Sequence, residues 1–379
     1  MAFATKILQN FVYVVKYKQE NPRKDNNMIY IFIAIIVILL VLLFFATKIM
    51  DVAGASKRCE GNDNLKYLKA KNFDNLNARP ISFKSNKGQT LNGFLYSNAK
   101  VDTYKALIVF SHGMGAGHLA YTTEINYFAQ KGYLVLAYDN TGTCSSEGEK
   151  LYGFAQGIID LKHALDFVKS REDLKDLPLL LAGHSWGAYS VCNVSAITSI
   201  KDIKGIVAFS PFNSMNKLLS DNAKLKTKMN LSVFSPFFDL VNLIRFGKAG
   251  ILRSCDTINS NSIPTLVMHG GNDLQVTLHN SPVGLKNRIS NNPNARTVLY
   301  ESKYHNVYLA KDAEQYLNDT FAKIESLGDN SPEAYEIYQN IDYVLITKED
   351  FAILETANSF FEECVMKRDF LTESGENDI

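Results

Sequence analysis

Apolar and polar positions divide the chain into segments of different character. Residues 26–47 form a run without a charged side chain, made mostly of Ile, Leu, Val, Phe and Ala. A helix of that length crosses a hydrocarbon layer of about 30 Å. Beyond a polar stretch at 48–75, short continuous apolar runs alternate with stretches whose apolar side chains recur at helical spacing. The pattern predicts one apolar helix followed by a body in which strands and helices alternate.

The short apolar runs have the length and composition of strands that are buried on both faces. Alternation of such strands with helices is typical of a doubly wound, mainly parallel sheet of the α/β class. Strands are predicted at 79–84 and 90–97, paired around a turn at 86–88, and at 106–111, 133–138, 178–182, 203–209, 264–268 and 296–300. Helices are predicted at 157–170 and 188–194.

The same pattern predicts the organisation of the whole chain. Residues 213–262 are rich in Phe, Leu and Val, and we expect them to form a helical cap inserted in the α/β domain. Their apolar side chains either pack the cap onto the domain or bind an apolar substrate, and we expect packing as their main role. Near the C-terminus, residues 350–365 predict an amphipathic helix that packs on the body, with partner binding as the alternative. The predicted parts are an N-terminal segment 1–25, a transmembrane helix 26–47, a stalk 48–75, the α/β domain 76–326 and a C-terminal helical extension 327–379.

The charges that flank the apolar run predict its orientation. Five basic side chains precede it and three follow, which favours a cytoplasmic N-terminus and an extracytoplasmic body. A signal peptide is the alternative, because Ala53, Gly54 and Ala55 resemble a cleavage site. A buried core helix is disfavoured since the run is apolar on every face. We therefore expect an uncleaved, single-pass membrane anchor.

Overall composition excludes several other classes of protein. With 40 basic and 39 acidic side chains, the net charge is +1, so no strong field favours nucleic acid. The five cysteines are odd in number and far apart, which is typical neither of a disulfide framework nor of a zinc site.

One short motif carries nucleophile chemistry. Gly183-His184-Ser185-Trp186-Gly187 lies between a predicted strand and a predicted helix, which is the G-x-S-x-G pattern of a nucleophile elbow. A serine on such a sharp turn exposes its hydroxyl, and the flanking glycines leave room where a Cβ atom would clash. Ser185 is therefore the candidate nucleophile, and a structural serine in a glycine-rich turn is the alternative.

A serine hydroxyl needs a base to accept its proton and an acid to orient that base. In the elbow architecture these partners follow the serine in the order acid, then histidine. Asp273 and His305 each follow a predicted strand of their own, and carboxyl ends of parallel strands meet at one sheet edge. We expect Asp273 to orient His305 as the base, with a solvent-exposed histidine as the alternative. His279 is too close to Asp273 in sequence and lacks its own strand.

Two backbone N–H groups are candidates for stabilising an oxyanion. Trp186 supplies one by following the nucleophile, and Met114 supplies the other from the glycine-rich loop at 112–117. A phosphate-binding loop is disfavoured, because this segment lacks the Walker lysine and a complete G-x-G-x-x-G with a following acid. Asp139 precedes Ser185 in the chain, so we expect it to brace its own loop.

These motifs, in this order, resemble the α/β-hydrolase-fold serine hydrolases over residues 81–317. The similarity is strongest to the serine aminopeptidase and monoacylglycerol-lipase-like branch and to the dienelactone-hydrolase-like branch. Thr141 stands where many members have Arg and Cys144 where many have Gly, so no role of that Arg carries over. The resemblance rests on His112-Gly113, Asp139 with Gly142, the GHSWG segment, Gly270-Gly271-Asn272-Asp273 and the late His305.

The resemblance implies hydrolysis of an ester, or less often an amide, through an acyl-enzyme, without a metal or organic cofactor. We expect a membrane-anchored serine esterase with small or lipid-like ester substrates and no nucleic-acid partner. A serine peptidase or amidase on the same triad is one alternative, although the sequence identifies no acidic pocket for a substrate amino terminus. A non-catalytic binding protein on a hydrolase scaffold is the other, and the complete triad argues against it.

Overall fold

The computed structural model describes residues 26–51 and 57–373, in two compact units. The first unit contains helix α1, Asn26–Met50, which includes the predicted span at 26–47. In the described part of the chain it is the one helix long and apolar enough to cross a membrane, a property that signal sequences share. The predicted N-terminal segment 1–25 lies outside the described residues.

The second unit is built on one eight-stranded sheet with the order β1-β2-β4-β3-β5-β6-β7-β8. Antiparallel pairing joins β1 to β2 and β2 to β4, and all other neighbours are parallel. The strands are β1 Leu76–Lys84, β2 Thr90–Asn98, β3 Leu107–Ser111, β4 Leu134–Tyr138, β5 Leu179–His184, β6 Ile203–Phe209, β7 Thr265–Gly270 and β8 Ala295–Tyr300. The predicted doubly wound, mainly parallel sheet is confirmed.

Helices cover both faces of this sheet, because the central strands are apolar on both sides. Along β3, Leu107 and Val109 belong to one buried cluster, and Ile108 and Phe110 belong to another. The helices of this unit are α2 Thr122–Gln130, α3 Phe154–Ser170, α4 Trp186–Asn193, α5 Met215–Thr227, α6 Ser235–Phe246, α7 Ser254–Asn259, α8 Lys311–Leu327, α9 Pro332–Gln339, α10 Tyr343–Ile346 and α11 Phe351–Glu373. Helices α3 and α4 pack in the first cluster, and α2 and α11 pack in the second.

The C-terminal helix α11 is part of the domain core. Leu354, Ala357 and Phe361 are fully buried in the same cluster as strands β3 and β5. The predicted amphipathic helix that packs on the body is therefore confirmed. The apolar positions that predict this helix include Phe351, but the structure leaves it exposed at the first turn.

The predicted stalk at 48–75 is wrong for its described part beyond residue 56, which lies along the domain. The Cys59 N–H donates to the Gly142 carbonyl oxygen at 2.9 Å. The side-chain amide of Asn62 donates to the Tyr338 hydroxyl oxygen at 2.9 Å. The polar composition that suggested a stalk instead supplies hydrogen bonds to the α/β domain.

The segment predicted as a cap, 213–262, contains α5, α6 and α7. Phe238 and Val241 of α6 are buried, as expected of side chains that pack the segment onto the domain. Three apolar side chains of the same helix remain exposed: Leu240, Leu243 and Ile244. Cys255 of α7 lies in the main core, so the end of this segment belongs to the domain itself.

Two glutamates are buried where the C-terminal region meets α2. Glu124 is 3% exposed and Glu349, just before α11, is 8% exposed. Burial raises the pKa of Glu124 to about 8, and burial together with the nearby Glu124 raises the pKa of Glu349 to about 9. Glutamate in an unfolded chain has a pKa of about 4.3. Between the unfolded and the folded pKa, each glutamate binds more protons in the folded protein than in the unfolded chain. The free energy of unfolding therefore falls as pH rises through this range.

We therefore expect Glu124→Gln to flatten the decline in stability between about pH 5 and about pH 9. The contribution removed is at most about 1.4 kcal/mol per pH unit for one group. Urea unfolding at fixed ionic strength across this range measures the slope. The exposed Glu333→Gln is the matched control and should follow the wild type, whereas equal slopes for wild type and Glu124→Gln would contradict the burial of an acidic proton.

Candidate active site

Ser185 occupies a strained turn between β5 and α4. Its backbone has φ 54° and ψ −113°, a conformation that side-chain-bearing residues rarely adopt, and its side chain is partly exposed. A Cβ atom on Gly183 would lie 2.6 Å from the Gly187 carbonyl carbon. A Cβ atom on Gly187 would lie 1.9 Å from the Ser111 carbonyl oxygen. The two glycines are therefore required by close packing of the backbone, as the motif predicted.

Asp273 and His305 form a buried hydrogen-bonded pair. The His305 Nδ1 lies 2.7 Å from the Asp273 Oδ2, and both residues are about 95% buried. The other carboxylate oxygen of Asp273 accepts the N–H groups of Gln275 and Val276, each at 2.8 Å. These bonds fix the carboxylate, so His305 carries its proton on Nδ1 and presents Nε2 as an acceptor.

The loop that carries His305 is held against the elbow through its main-chain carbonyl. Ser210 donates its hydroxyl to this oxygen at 2.7 Å, and His184 Nε2 donates to it at 3.1 Å. The rings of His184 and His305 have centroids 4.7 Å apart. Because His184 directly precedes Ser185, this contact sets the position of the His305 loop relative to the candidate nucleophile.

A further hydrogen bond extends this connection to the glycine-rich loop. Since His184 Nε2 is the donor to His305, its Nδ1 accepts the Tyr121 hydroxyl at 2.9 Å. The Tyr121 oxygen in turn accepts the Gly113 N–H at 3.0 Å. Burial strongly lowers the pKa of His184, which keeps the ring neutral as this donor pattern requires. One buried chain of hydrogen bonds therefore joins three separate loops.

The two candidate oxyanion donors lie on two of these loops, Met114 on the glycine-rich loop and Trp186 at the elbow. Met114 follows Gly113 directly, and Trp186 follows Ser185 at the start of α4. In the described part of the chain, neither N–H donates a hydrogen bond to another protein group. Both are therefore free to bind a ligand oxygen.

Asp139 braces the loop after β4, as expected. Its Oδ1 accepts the backbone N–H of His118 at 2.9 Å and its ring Nδ1 at 2.7 Å. Its Oδ2 accepts the backbone N–H of Ser145 at 3.0 Å. Burial alone would raise the pKa of Asp139, but the hydrogen bond and charge of His118 lower it well below the usual value. Asp139 forms its buried pair with His118 and not with His305.

The remaining histidines after Ser185 have other surroundings. His279 is 64% exposed in its side chain and lies 3.4 Å from Asp221, away from Asp273. His269 is buried, donates to the Val276 carbonyl oxygen at 3.0 Å and lies 3.6 Å from Asp273. Sequence reasoning missed the supporting roles of Tyr121, His184 and Ser210. Of these three residues, only His184 could have been suspected from the sequence, because it lies inside the elbow motif.

Parts of the chain are similar to known proteins. A family model described as serine aminopeptidase, S33, matches residues 102–245. The monoglyceride lipase of Rattus norvegicus is 26% identical over 171 residues, covering 45% of this chain and 54% of that protein. An uncharacterized protein, YfhR of Salmonella typhi, is 23% identical over 204 residues, covering 52% of this chain and 64% of that protein. The chain thus spans between about half and two thirds of these relatives.

Among solved structures, an esterase from Pyrococcus furiosus superposes with a TM-score of 0.52 at 18% sequence identity. The match covers 71% of this chain and 97% of the esterase. The chain therefore has the α/β-hydrolase fold, and the segment that contains Ser185 is similar to hydrolases of that fold.

The buried hydrogen-bond chain through Tyr121 makes a testable contribution to stability. Tyr121→Phe leaves the Gly113 N–H and the His184 Nδ1 without a buried partner, which we expect to lower the free energy of unfolding by about 2 kcal/mol. Urea unfolding measures the change. Tyr335→Phe, at an exposed position of α9, is the control and is expected within about 0.5 kcal/mol of wild type. Equal stability of both variants would show that the Tyr121 hydroxyl is not structurally required.

Proposed function

We propose that the chain is a serine hydrolase that cleaves ester bonds of small or lipid-like substrates through an acyl-enzyme. The observation that supports this most strongly is the buried Asp273–His305 hydrogen bond on loops held against the Ser185 elbow. The similarity to hydrolases over residues 102–245 supports the same reaction class. A non-catalytic binding protein would have no need to keep this pair buried on loops that are held against a strained serine turn.

In the proposed reaction, His305 accepts the proton of the Ser185 hydroxyl as its oxygen attacks the ester carbonyl. Asp273 holds the imidazole in the tautomer with Nδ1–H and stabilises the imidazolium that forms. The imidazolium then protonates the departing alcohol, which leaves the acyl group on Ser185. A water molecule, deprotonated by His305, later attacks this acyl-enzyme and releases the acid.

The developing oxyanion is bound by the N–H groups of Met114 and Trp186. Donors that are already oriented before reaction stabilise the transition state more than the ground state, and removing one typically costs about 3–4 kcal/mol of barrier. Both N–H groups lack a protein acceptor among the described residues, which supports this assignment. The hydrogen-bond chain through Tyr121 holds the two loops in register.

Ester substrates are supported by the activity for which a relative is named and by the apolar side chains of the cap. The rat relative, 26% identical over 171 residues, is named a monoglyceride lipase. The cap segment 213–262 offers apolar side chains, of which Leu240, Leu243 and Ile244 on α6 are exposed. We therefore propose an acyl group with an apolar tail, without assigning its length.

We also propose that α1 anchors the enzyme in a membrane as a single span. Its length and its lack of polar faces support this role. The excess of basic residues before the helix supports a cytoplasmic N-terminus and an extracytoplasmic catalytic domain.

Substitution of the proposed triad tests the reaction. Ser185→Ala and His305→Ala should each lower kcat/KM for p-nitrophenyl esters by at least about 1,000-fold, because the triad acts as a unit. His279→Ala is the matched control, expected within about twofold of wild type, since this side chain is exposed away from Asp273. Loss of activity in His279→Ala with retention in His305→Ala would overturn the assignment. Comparison of kcat/KM for p-nitrophenyl esters from acetate to decanoate then identifies the preferred length of the acyl group.

Membrane topology is tested in intact cells. A reporter fused after residue 379 should be accessible from outside, and the full chain should resist extraction from membranes by alkaline carbonate. A carbonate-soluble protein that lacks residues before about 55 would indicate a cleaved signal sequence instead. A cytoplasmic reporter with a membrane-bound chain would reverse the orientation.

A further inference from the structure

A lysine is buried beside the candidate base. Lys303 lies two residues before His305 and is 6% exposed. A lysine is almost never buried to this extent without a partner for its charge. The Lys303 Nζ lies 2.8 Å from the Asp350 Oδ2, and it also donates to the Leu309 main-chain carbonyl oxygen. This side chain therefore joins the loop that carries His305 to the segment that precedes α11.

The contacts of Asp350 reach the His305 loop on both sides of the histidine. Its carboxylate binds Lys303, which precedes His305. Its main-chain N–H donates to the carbonyl oxygen of Tyr308, which follows His305, at 2.7 Å. The hydrogen bond from Lys303 to Leu309 closes the same loop on itself. The candidate base thus lies between two attached points.

Backbone pairing brings Asp350 to this loop. Leu309 and Glu349 form an isolated antiparallel bridge. The Ala310 N–H donates to the Lys348 carbonyl oxygen at 2.8 Å. Main-chain pairing on this scale restricts movement of the segment at 348–350 relative to the loop.

Asp350 is also attached to the core through α11. Its Oδ1 accepts the N–H groups of Ala352 and Ile353 at 3.2 and 3.4 Å, which caps the helix. Leu354 and Ala357 of this helix are fully buried. The ion pair therefore connects the candidate base to a helix that is packed in the core of the domain.

The main chain of Lys303 makes a further contact with the loop of the candidate acid. Its carbonyl oxygen accepts the Asn272 N–H at 2.9 Å, and Asn272 directly precedes Asp273. The two loops pass so closely that a Cβ atom on Gly270 would lie 1.9 Å from the Tyr304 carbonyl oxygen. Movement of Lys303 would therefore displace the candidate acid relative to the candidate base, to which it is joined by a hydrogen bond of 2.7 Å.

Stability alone does not explain this ion pair. Removing two charges from water costs about as much as their attraction returns, so apolar side chains of similar volume stabilise a buried site equally well. The buried side chains of α11 already attach the C-terminal region to the domain. What a charged, hydrogen-bonded pair adds is a defined direction, and here it is directed at the loop of His305.

We propose that Lys303 and Asp350 are positioning residues, which hold the His305 imidazole where it accepts the Ser185 proton. This step rests on the proposed function, because it assigns the pair a role in that reaction. In this role neither side chain touches the substrate or transfers a proton, and both act through the position of His305. The C-terminal region thereby contributes to catalysis as well as covering the sheet.

Loss of the pair should slow the chemical step more than it weakens substrate binding. Proton transfer depends steeply on geometry, and a displacement of about 1 Å can lower a rate by about 100-fold. Binding of the ester in its ground state does not require the imidazole to be aligned. The predicted signature is therefore a fall in kcat with little change in KM.

The experiment compares Lys303→Met with wild type, using the full chain in lipid nanodiscs and p-nitrophenyl butyrate as the substrate. We expect kcat to fall at least about tenfold while KM stays within about threefold, the pattern of an interaction needed in the transition state. Lys348→Met is the matched control, because Lys348 lies two residues from Asp350 and forms an exposed ion pair with Asp312. Its kcat should stay within about twofold of wild type, since exposed pairs contribute little.

Further variants separate positioning from folding, which circular dichroism checks for each. Lys303→Arg keeps the positive charge and should recover most of the activity lost in Lys303→Met. Asp350→Asn keeps an oxygen that can cap α11 and should lower kcat as Lys303→Met does. The double variant should be no slower than the slower single variant, because the two residues act as one unit. It leaves no unpaired charge buried, so it provides the test where a single variant fails to fold. Wild-type kcat in the folded variants, or losses that multiply in the double variant, would overturn the proposal.

A second readout does not depend on turnover. In the full chain with isotopically labelled histidine, the Nδ1–H proton between His305 and Asp273 should give a far-downfield NMR signal, which His305→Ala assigns by removing it. The signal should persist in Ser185→Ala and Lys348→Met and be lost in Lys303→Met, because a displaced loop lets the proton exchange with water. Loss of the signal in Lys303→Met of a chain that hydrolyses no ester would refute the proposed reaction and leave the hold on His305 established. Ester hydrolysis with unchanged kcat and signal in Lys303→Met would refute the positioning role alone.

Discussion

The main-chain carbonyl oxygen of His305 is the point on which the candidate active site depends. Ser210 and His184 both donate to it, so the loop after β8 is attached to the loop after β6 and to the elbow after β5. A main-chain carbonyl has no rotamer freedom of its own, which makes it a firmer attachment than a surface side-chain contact. The hydrogen bonds to its main-chain carbonyl thereby fix the position of His305, and the hydrogen bond between Nδ1 and Asp273 fixes the tautomer of its ring.

This attachment continues through side chains that do no chemistry in the proposed reaction. Tyr121 links His184 to the Gly113 N–H, and Gly113 precedes the candidate oxyanion donor Met114. All of these polar groups are buried, so each lost hydrogen bond would leave a costly unpaired group. The energetic consequence is a cost for displacing any one of the three loops relative to the others. A site of this kind is preorganised for a developing charge because its donors need no reorientation.

The sequence predicts much of the sheet, because each buried strand rests on a local pattern. It also predicts that Ser185, Asp273 and His305 lie on loops that follow strands. Continuous apolar runs gave the buried strands, and the glycines around Ser185 gave the elbow, where backbone atoms approach too closely for a Cβ atom. The docking of the N-terminal stretch could not be predicted, since the Cys59–Gly142 and Asn62–Tyr338 hydrogen bonds join residues far apart in sequence. For the same reason the burial of Glu349 near Glu124 gave no local signal.

The central claim is that the elbow, the Asp273–His305 pair and the attached loops together activate Ser185. The most direct test is the intact mass of the full chain after exposure to a fluorophosphonate, followed by peptide mapping. The account predicts a single phosphonyl adduct, located on Ser185, because only an activated serine displaces fluoride at an appreciable rate. No adduct on a folded chain, or an adduct on another serine, would contradict it.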